Sequence, residues 1–173
     1  MYTGTILIKE TKEEDLKNIL ALWNNGEVMK YVGFPNGLEY NYEKILNWYK
    51  KNKEFKFFDH YSIYTEEYGY CGETGYEIDN NGKKNIGLDI KLRSEVQGRG
   101  IAEYSLRYII EYLCREEKII SVWVDPNENN WKARKLYKKI GFIEKIFPKY
   151  LLEEDDGKHI YMELILNEYR RSS

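Results

Sequence analysis

The sequence predicts a mixed α/β fold, one sheet with helices packed on it. Three observations carry that expectation. Apolar spacing switches along the chain between helical and strand periods, in the order β-α-α-β-β-β-α-β-α-β-β. Clusters of Gly, Asn, Asp and Pro fall between the periodic runs, where turns belong. The 173 residues are 42% hydrophobic, enough to fill one core and too few for two comfortable domains, so a single domain over residues 1–173 is expected.

The elements follow in chain order. "TILIKE" (5–10) reads as a first strand. "EEDLKNILALWN" places Leu16, Ile19, Leu20 and Trp23 at helical spacing, and "NYEKILNWYKKN" does the same with Tyr42, Ile45, Leu46 and Tyr49. Between them, "NNGEVMKYVGFPNGLEY" carries Gly33, Pro35 and Gly37 and reads as a loop, either a cleft cover or a plain connector. "FKFFDHYSIYTEE" and "YGYCGETGYEID" read as neighbouring strands, and Asn80-Asn81-Gly82 turns the chain into a third, "NIGLDIKL". Residues 100–114 form a helix with an apolar stripe of Ala102, Leu106, Ile109, Ile110 and Leu113. "KIISVWVDP" is a buried-type strand that Pro126 limits. "NWKARKLYKKIGF" is a helix with Ala133, Leu136, Tyr137 and Ile140 on one side, and Gly141 ends it. The remainder gives two closing strands around a turn at Asp155-Asp156-Gly157.

Composition excludes several function classes. A net charge of -2 gives no general attraction to nucleic acid or to an anionic membrane. The basic run "KARKLYKK" stands alone and reads as a solvated helix face. No stretch is long and apolar enough to span a bilayer. The opening "MYTGTILIKE" lacks a signal-peptide pattern, so a cytoplasmic protein is expected. Cys71 and Cys114 make neither a disulfide framework nor a metal cluster, and His60 and His159 lack ligand spacing, so no metal is expected. The many aromatics, 17 tyrosines among them, suit strands and half-buried clefts and are compatible with a homodimer.

The most informative junction is Gln97-Gly98-Arg99-Gly100-Ile101-Ala102, between a strand and a helix. Glycine is a poor helix former, so opening a helix on two of them has a local cost. Two readings explain it: a plain strand-to-helix turn, or a place where an anionic phosphate approaches the unpaired first amides of the helix. A phosphate loop ending in Gly-Lys-Ser/Thr is absent. A dinucleotide fingerprint would need a third glycine where Glu103 stands and no intervening residues after the strand, which disfavours a nucleotide-dependent oxidoreductase.

Taken with the later Asn130, Ala133, Tyr137, Gly141 and Phe142, this junction resembles the GNAT superfamily, the GCN5-related N-acetyltransferases. The first motif is similar to that family's Gln/Arg-x-x-Gly-x-Gly/Ala, the second to its Asn-x-x-Ala-x-x-x-Tyr-x-x-x-Gly-Phe, and the resemblance covers nearly the whole chain. The segment "LALWNNGEVMKYVGFP" also resembles the branch acting on ribosomal-protein N-termini and small amines. The resemblance implies a mostly antiparallel twisted sheet of about seven strands with a splayed central pair and about four flanking helices. It implies acetyl-CoA as acyl donor: pantetheine along the backbone of Ile90, Lys91 and Leu92, the diphosphate on residues Gln97, Gly98, Arg99, Gly100, Ile101 and Ala102, and a further contact at Asn130. Asn130 equally suits a helix N-cap.

Acetylating an amine needs a neutral amine, a polarised thioester and a proton for the leaving thiolate. The resemblance assigns the proton to Tyr137, whose phenol stays protonated at neutral pH; the alternative is a core tyrosine. Strand alternation puts Glu73, Glu77 and Asp79 on one face, and Asp89 and Lys91 on one face of the next strand. Glu77 and Asp89 are therefore candidate bases or acceptor-binding groups, the alternative being a solvated polar face. The expected activity is direct transfer from acetyl-CoA to a primary amine; a non-catalytic acyl-CoA-binding module on the same fold is the other reading.

Overall fold

A computed structural model of the protein describes residues 2–54, 58–78, 85–115, 119–149, 151 and 158–172. Seven strands form one sheet: β1 (Ile6–Glu10), β2 (Phe58–Thr65), β3 (Gly69–Ile78), β4 (Asn85–Leu92), β5 (Ser121–Val124), β6 (Ile143–Glu144) and β7 (Met162–Ile165), in the spatial order β1-β2-β3-β4-β5-β7-β6. Every neighbouring pair is antiparallel except β4 and β5, which run parallel in the middle. A parallel neighbour requires a crossover, and α4 (Ile101–Leu113) lies on it. The other helices are α1 (Leu16–Trp23), α2 (Gly26–Met29), α3 (Tyr42–Glu54), α5 (Trp131–Ile140) and α6 (Leu166–Ser172).

The apolar stripes explain which faces are covered. Leu106, Ile109, Ile110 and Leu113 of α4 are buried against Ile86, Leu88, Val122 and Leu164, and Tyr137 and Ile140 of α5 join the same cluster. On the opposite face, Leu16, Ile19, Leu22 and Trp23 of α1 pack with Ile45 of α3. The sheet is thus a middle layer with α4 and α5 on one side and α1 and α3 on the other.

The structure differs from the sequence expectation in four places. The segment between α1 and α3 is not only loop: Asn25 caps α2 by accepting the amide of Glu27 at 2.9 Å, and a 3₁₀ turn follows at Lys30–Val32. Tyr42, expected on the buried stripe of α3, is exposed, because it opens the helix; Trp48 packs against the cluster instead. The first closing strand is only the two residues of β6, and the second ends at Ile165, where "LNEYRRS" turns into α6. The described helices therefore number six rather than about four. The turns expected at 80–82 and 155–157 lie outside the described residues.

Candidate active site

The central pair parts early. Asn85, Ile86 and Gly87 pair with Ser121, Val122 and Trp123, and there the β4–β5 ladder stops. On its other side β4 continues to pair with β3 as far as Leu92, while Val124 continues β5 paired only with Met162. From Leu88 onward β4 therefore has a free edge facing a gap inside the sheet. Strand geometry decides which groups face it, since each residue's N–H and C=O point to the same side. The Asp89 carbonyl accepts the Thr74 hydroxyl at 2.8 Å, and a Cβ added to Gly72 would sit 2.1 Å from the Lys91 carbonyl, so odd-numbered residues face β3. Leu88, Ile90 and Leu92 then face the gap. Lys91 runs beside it without turning its own amide to it, and the Leu92 carbonyl is already engaged by the Gln97 side-chain amide at 3.0 Å.

Beyond β4 the chain makes a 3₁₀ turn at Ser94–Val96 and enters α4 through Gly98 (φ 75°) and Gly100 (φ 88°). Both are left-handed, which explains the two glycines. A Cβ added at Gly98 would meet nothing within 4 Å, so this backbone is open. Gly100 is the N-cap of α4, and no side chain caps the helix. The amides of Ile101 and Ala102 thus keep the partial positive charge of an uncapped helix start. The Ile101 side chain is fully buried, leaving its backbone for any ligand. The Arg99 guanidinium lies 4.8 Å above the Tyr68 ring, and a cavity of about 580 Å³ opens between them and Tyr2.

On the α4–α5 side, Tyr137 of α5 sits in the main apolar cluster. It is 7% exposed and packs edge-on against Phe142 at 5.6 Å. Burial, and then the negative charges of Asp89 and Asp125, push its phenol above the ordinary value of 10.0. Asn130 is the N-cap of α5, its side chain accepting the Ala133 amide at 3.2 Å. The N-cap role is therefore present; it leaves the rest of the Asn130 amide group for a further contact.

The opposite face of the sheet carries charge. Glu73 pairs with Lys91, Gly75 with Asp89 and Glu77 with Gly87, so Glu73, Glu77, Asp89 and Lys91 share one face. Glu77 and the Asp89 side chain, the latter 63% exposed, are the solvent-facing carboxylates, as the sequence suggested; Asp79 lies outside the described residues. The sequence reading missed the buried members. Glu73, 2% exposed, accepts the Trp23 indole N–H at 2.6 Å, lies 3.2 Å from His60 Nε2 and 3.5 Å from Lys91 Nζ, and Lys91 also pairs with Asp89. Burial alone would raise Glu73, but His60, Lys91 and the indole together hold it below its usual range. Burial likewise works against the Lys91 ammonium, and Asp89 and Glu73 outweigh it. Also unforeseen is Trp123, opposite Gly87: a Cβ there would come within 2.9 Å of its indole. Trp123, Tyr161 and Phe147 form a row with ring centroids 5.8 and 5.5 Å apart.

A model of the acetyltransferase (GNAT) domain matches residues 5–143, most of the chain. The chain belongs to the GNAT acetyltransferase family. Among solved structures, the acetyltransferase is similar to a spermidine N-acetyltransferase from Vibrio cholerae in complex with CoA and spermine, at 18% identity and TM-score 0.78, covering 95% of this chain and 98% of that one. It is also similar to the aminoglycoside acetyltransferase AAC(6')-Ib in complex with coenzyme A, at 16% identity and TM-score 0.78, covering 97% and 99%. A domain from Methanocaldococcus jannaschii superposes with TM-score 0.77 at 16% identity, over 94% of this chain and 99% of that chain. A search by sequence among curated proteins found no match.

Family membership makes acetyl-CoA the donor, and three features of this acetyltransferase fit that molecule. The gap beside Leu88–Leu92 suits a narrow chain that hydrogen-bonds as a strand does. The open backbone at Gly98 and the uncapped start of α4 suit a diphosphate. Tyr137, in the apolar cluster on the α4–α5 side, is near enough to Asp89 for that charge to act on its phenol. Among the described residues, no group of three His, Cys, Asp or Glu is placed to hold a metal ion, and no helix is long and apolar enough to cross a membrane.

Proposed function

We propose that the protein transfers the acetyl group of acetyl-CoA directly to a primary amine, in a complex holding both substrates. The observation that carries this is the end of β4–β5 pairing at Gly87, which opens the sheet beside the α4 amides and between its two chemically different faces. Ile90, Lys91 and Leu92 line the pantetheine arm, residues Gln97–Ala102 and Asn130 hold the diphosphate end, and the charged face admits the acceptor. Asp89 and Glu77 attract a cationic amine and accept its proton, directly or through water. Tyr137 is held protonated by burial and by Asp89 and Asp125, so it supplies a proton as the thiolate departs. In balance, the cationic amine gives one proton to the carboxylate side, which passes it to solvent; a C–N bond then forms and the C–S bond breaks, the sulfur takes the phenolic proton, and the second proton leaving nitrogen restores the phenol through water. No enzyme nucleophile is needed, since holding the partners together supplies much of the rate. Two structural neighbours are named for spermidine and aminoglycoside acetylation, which supports a small polycationic amine as the acceptor class.

Thiol release from acetyl-CoA, measured across polyamines, aminoglycosides, amino acids and peptide N-termini, tests this reading. CoA binding without thiol release on any amine would instead favour a binding module. Tyr137→Phe is expected to lower kcat by about 10²-fold or more with CoA affinity little changed; unaltered turnover excludes Tyr137 as the proton donor.

A further inference from the structure

Behind Asp89 and Lys91, the charged face holds a chain of contacts to which the proposed transfer gives no role. Lys91 Nζ is shared between two carboxylates, the buried Glu73 at 3.5 Å and the exposed Asp89. Glu73 is itself fixed from three sides, by the Trp23 indole of α1 at 2.6 Å, by His60 of β2 at 3.2 Å, and by Lys91 of β4. His60 is fixed in turn: its Nδ1 lies 2.7 Å from the Thr11 hydroxyl, which meets the Ser62 hydroxyl at 2.9 Å. The Trp48 ring of α3 closes the site, 4.7 Å from Trp23 and 5.0 Å from His60. Tyr70 of β3 also feels the Glu73 charge.

Such an arrangement is a poor way to fill a core. Burying a carboxylate and an ammonium carries a desolvation cost that a well-packed hydrophobic pair would avoid. What the arrangement does supply is a rigid cation at the gap. Lys91 Nζ is anchored behind by Glu73 and is directed at Asp89. The residue paired with Asp89 on β3 is Gly75, which puts no side chain of its own beside that carboxylate.

We infer that Glu73 is a positioning residue for acetyl transfer: acting through Lys91, it holds Asp89 in place at the edge of the gap. The inference rests on the reading of Asp89 as the amine-side carboxylate. Around Asp89 are Lys91 on its own strand, with which it pairs, Glu77 of β3 on the same face, and Tyr137 of α5, whose phenol feels the Asp89 charge. Lys91 is the nearest of these charges, and its ammonium is divided between the Asp89 and Glu73 carboxylates.

The test is the pH dependence of kcat/KM in the full-length enzyme, with the best amine from the panel, for three variants. Asp89→Asn is expected to remove the acid limb of the profile and most turnover. Glu73→Gln leaves Lys91 with Asp89 as its remaining carboxylate partner, so the acid limb should move to lower pH by about half a unit or more. Glu73→Gln combined with Lys91→Met takes the cation away from Asp89, so the limb should move to higher pH by a similar amount. A purely structural role would change yield and melting temperature but not shift the limb in opposite directions. If Glu73→Gln does not fold, the double variant decides alone, since it removes the buried carboxylate and the buried ammonium together and leaves only the solvent-exposed Asp89 without its cation. Limbs unmoved in the folded variants, with Asp89→Asn inactive, overturn the inference and leave the reading of Asp89 standing. Full activity and an unchanged profile in Asp89→Asn overturn both.

Discussion

On the α4 and α5 side of the sheet, Ile86, Leu88, Val122 and Leu164 meet Leu106, Ile109, Ile110 and Leu113 in a contact made of hydrocarbon. On the α1 and α3 side, β2, β3 and β4 place His60, Glu73 and Lys91 beside Trp23 and Trp48. Strand alternation makes the contrast possible, because each second residue belongs to the other face. The hydrocarbon face holds the sheet and aims Tyr137. The charged face is stabilised by matched partners, and each partner depends on the others. The two faces should therefore fail differently when single side chains are removed.

The largest expected loss is on the hydrocarbon side. Ile110 is fully buried in the main cluster. Ile110→Ala should cost about 2–5 kcal/mol of stability, measured by denaturant unfolding, with turnover per folded molecule nearly unchanged. A loss below about 1 kcal/mol would mean that α4 collapses onto the vacancy, and the contrast between the faces would weaken.

An intermediate effect is expected across the sheet. Trp23→Phe keeps an aromatic ring and removes the N–H that Glu73 accepts, with an expected cost of about 1.5–3 kcal/mol for a hydrogen bond to a charged group. Its pH dependence distinguishes the loss from simple repacking. The Glu73 carboxyl is held below its ordinary 4.5 in the fold, so its contribution is present above the unfolded value and is lost as pH falls through the depressed one. Trp23→Phe removes one of the groups that lower it. The stability difference between wild type and variant should thus be full at neutral pH and shrink as pH falls below about 4.5. A difference independent of pH would mark the loss as packing alone.

The smallest effect is expected at Asn130. Replacing it with Ala removes the N-cap of α5, at about 1 kcal/mol. If Asn130 also contacts the donor, CoA binding measured by calorimetry should weaken by more than the loss of helix stability explains; unchanged affinity confines Asn130 to capping.

What the sequence disclosed follows the same division. The junction at Gly98 and Gly100 and the spacing from Asn130 to Phe142 are local, and local chemistry dictates them: left-handed backbone, helix cap, helix end. The strand order of the middle sheet followed from alternation and turn signals. Glu73, His60 and Trp23 were not legible as a group, because three registers set by distant elements bring them together; only the shared face of Glu73 and Glu77 was readable. α6 was hidden because "MELIL" continues an apolar run through the point where strand becomes helix. α2 has four residues, and its one local sign was Asn25 two positions before Glu27.

The position of the unpaired stretch of β4 has a further consequence. Exposed backbone along the rim of a sheet invites strands from other molecules, and here the rims are β1 and β6. Leu88 to Leu92 instead lie inboard, with β5 across the opening. Another folded protein cannot zip onto them; only something with the girth of one extended chain can thread in. On the proposed function, this inner edge would admit a slender acyl-CoA arm where a neighbouring sheet has no room to pair.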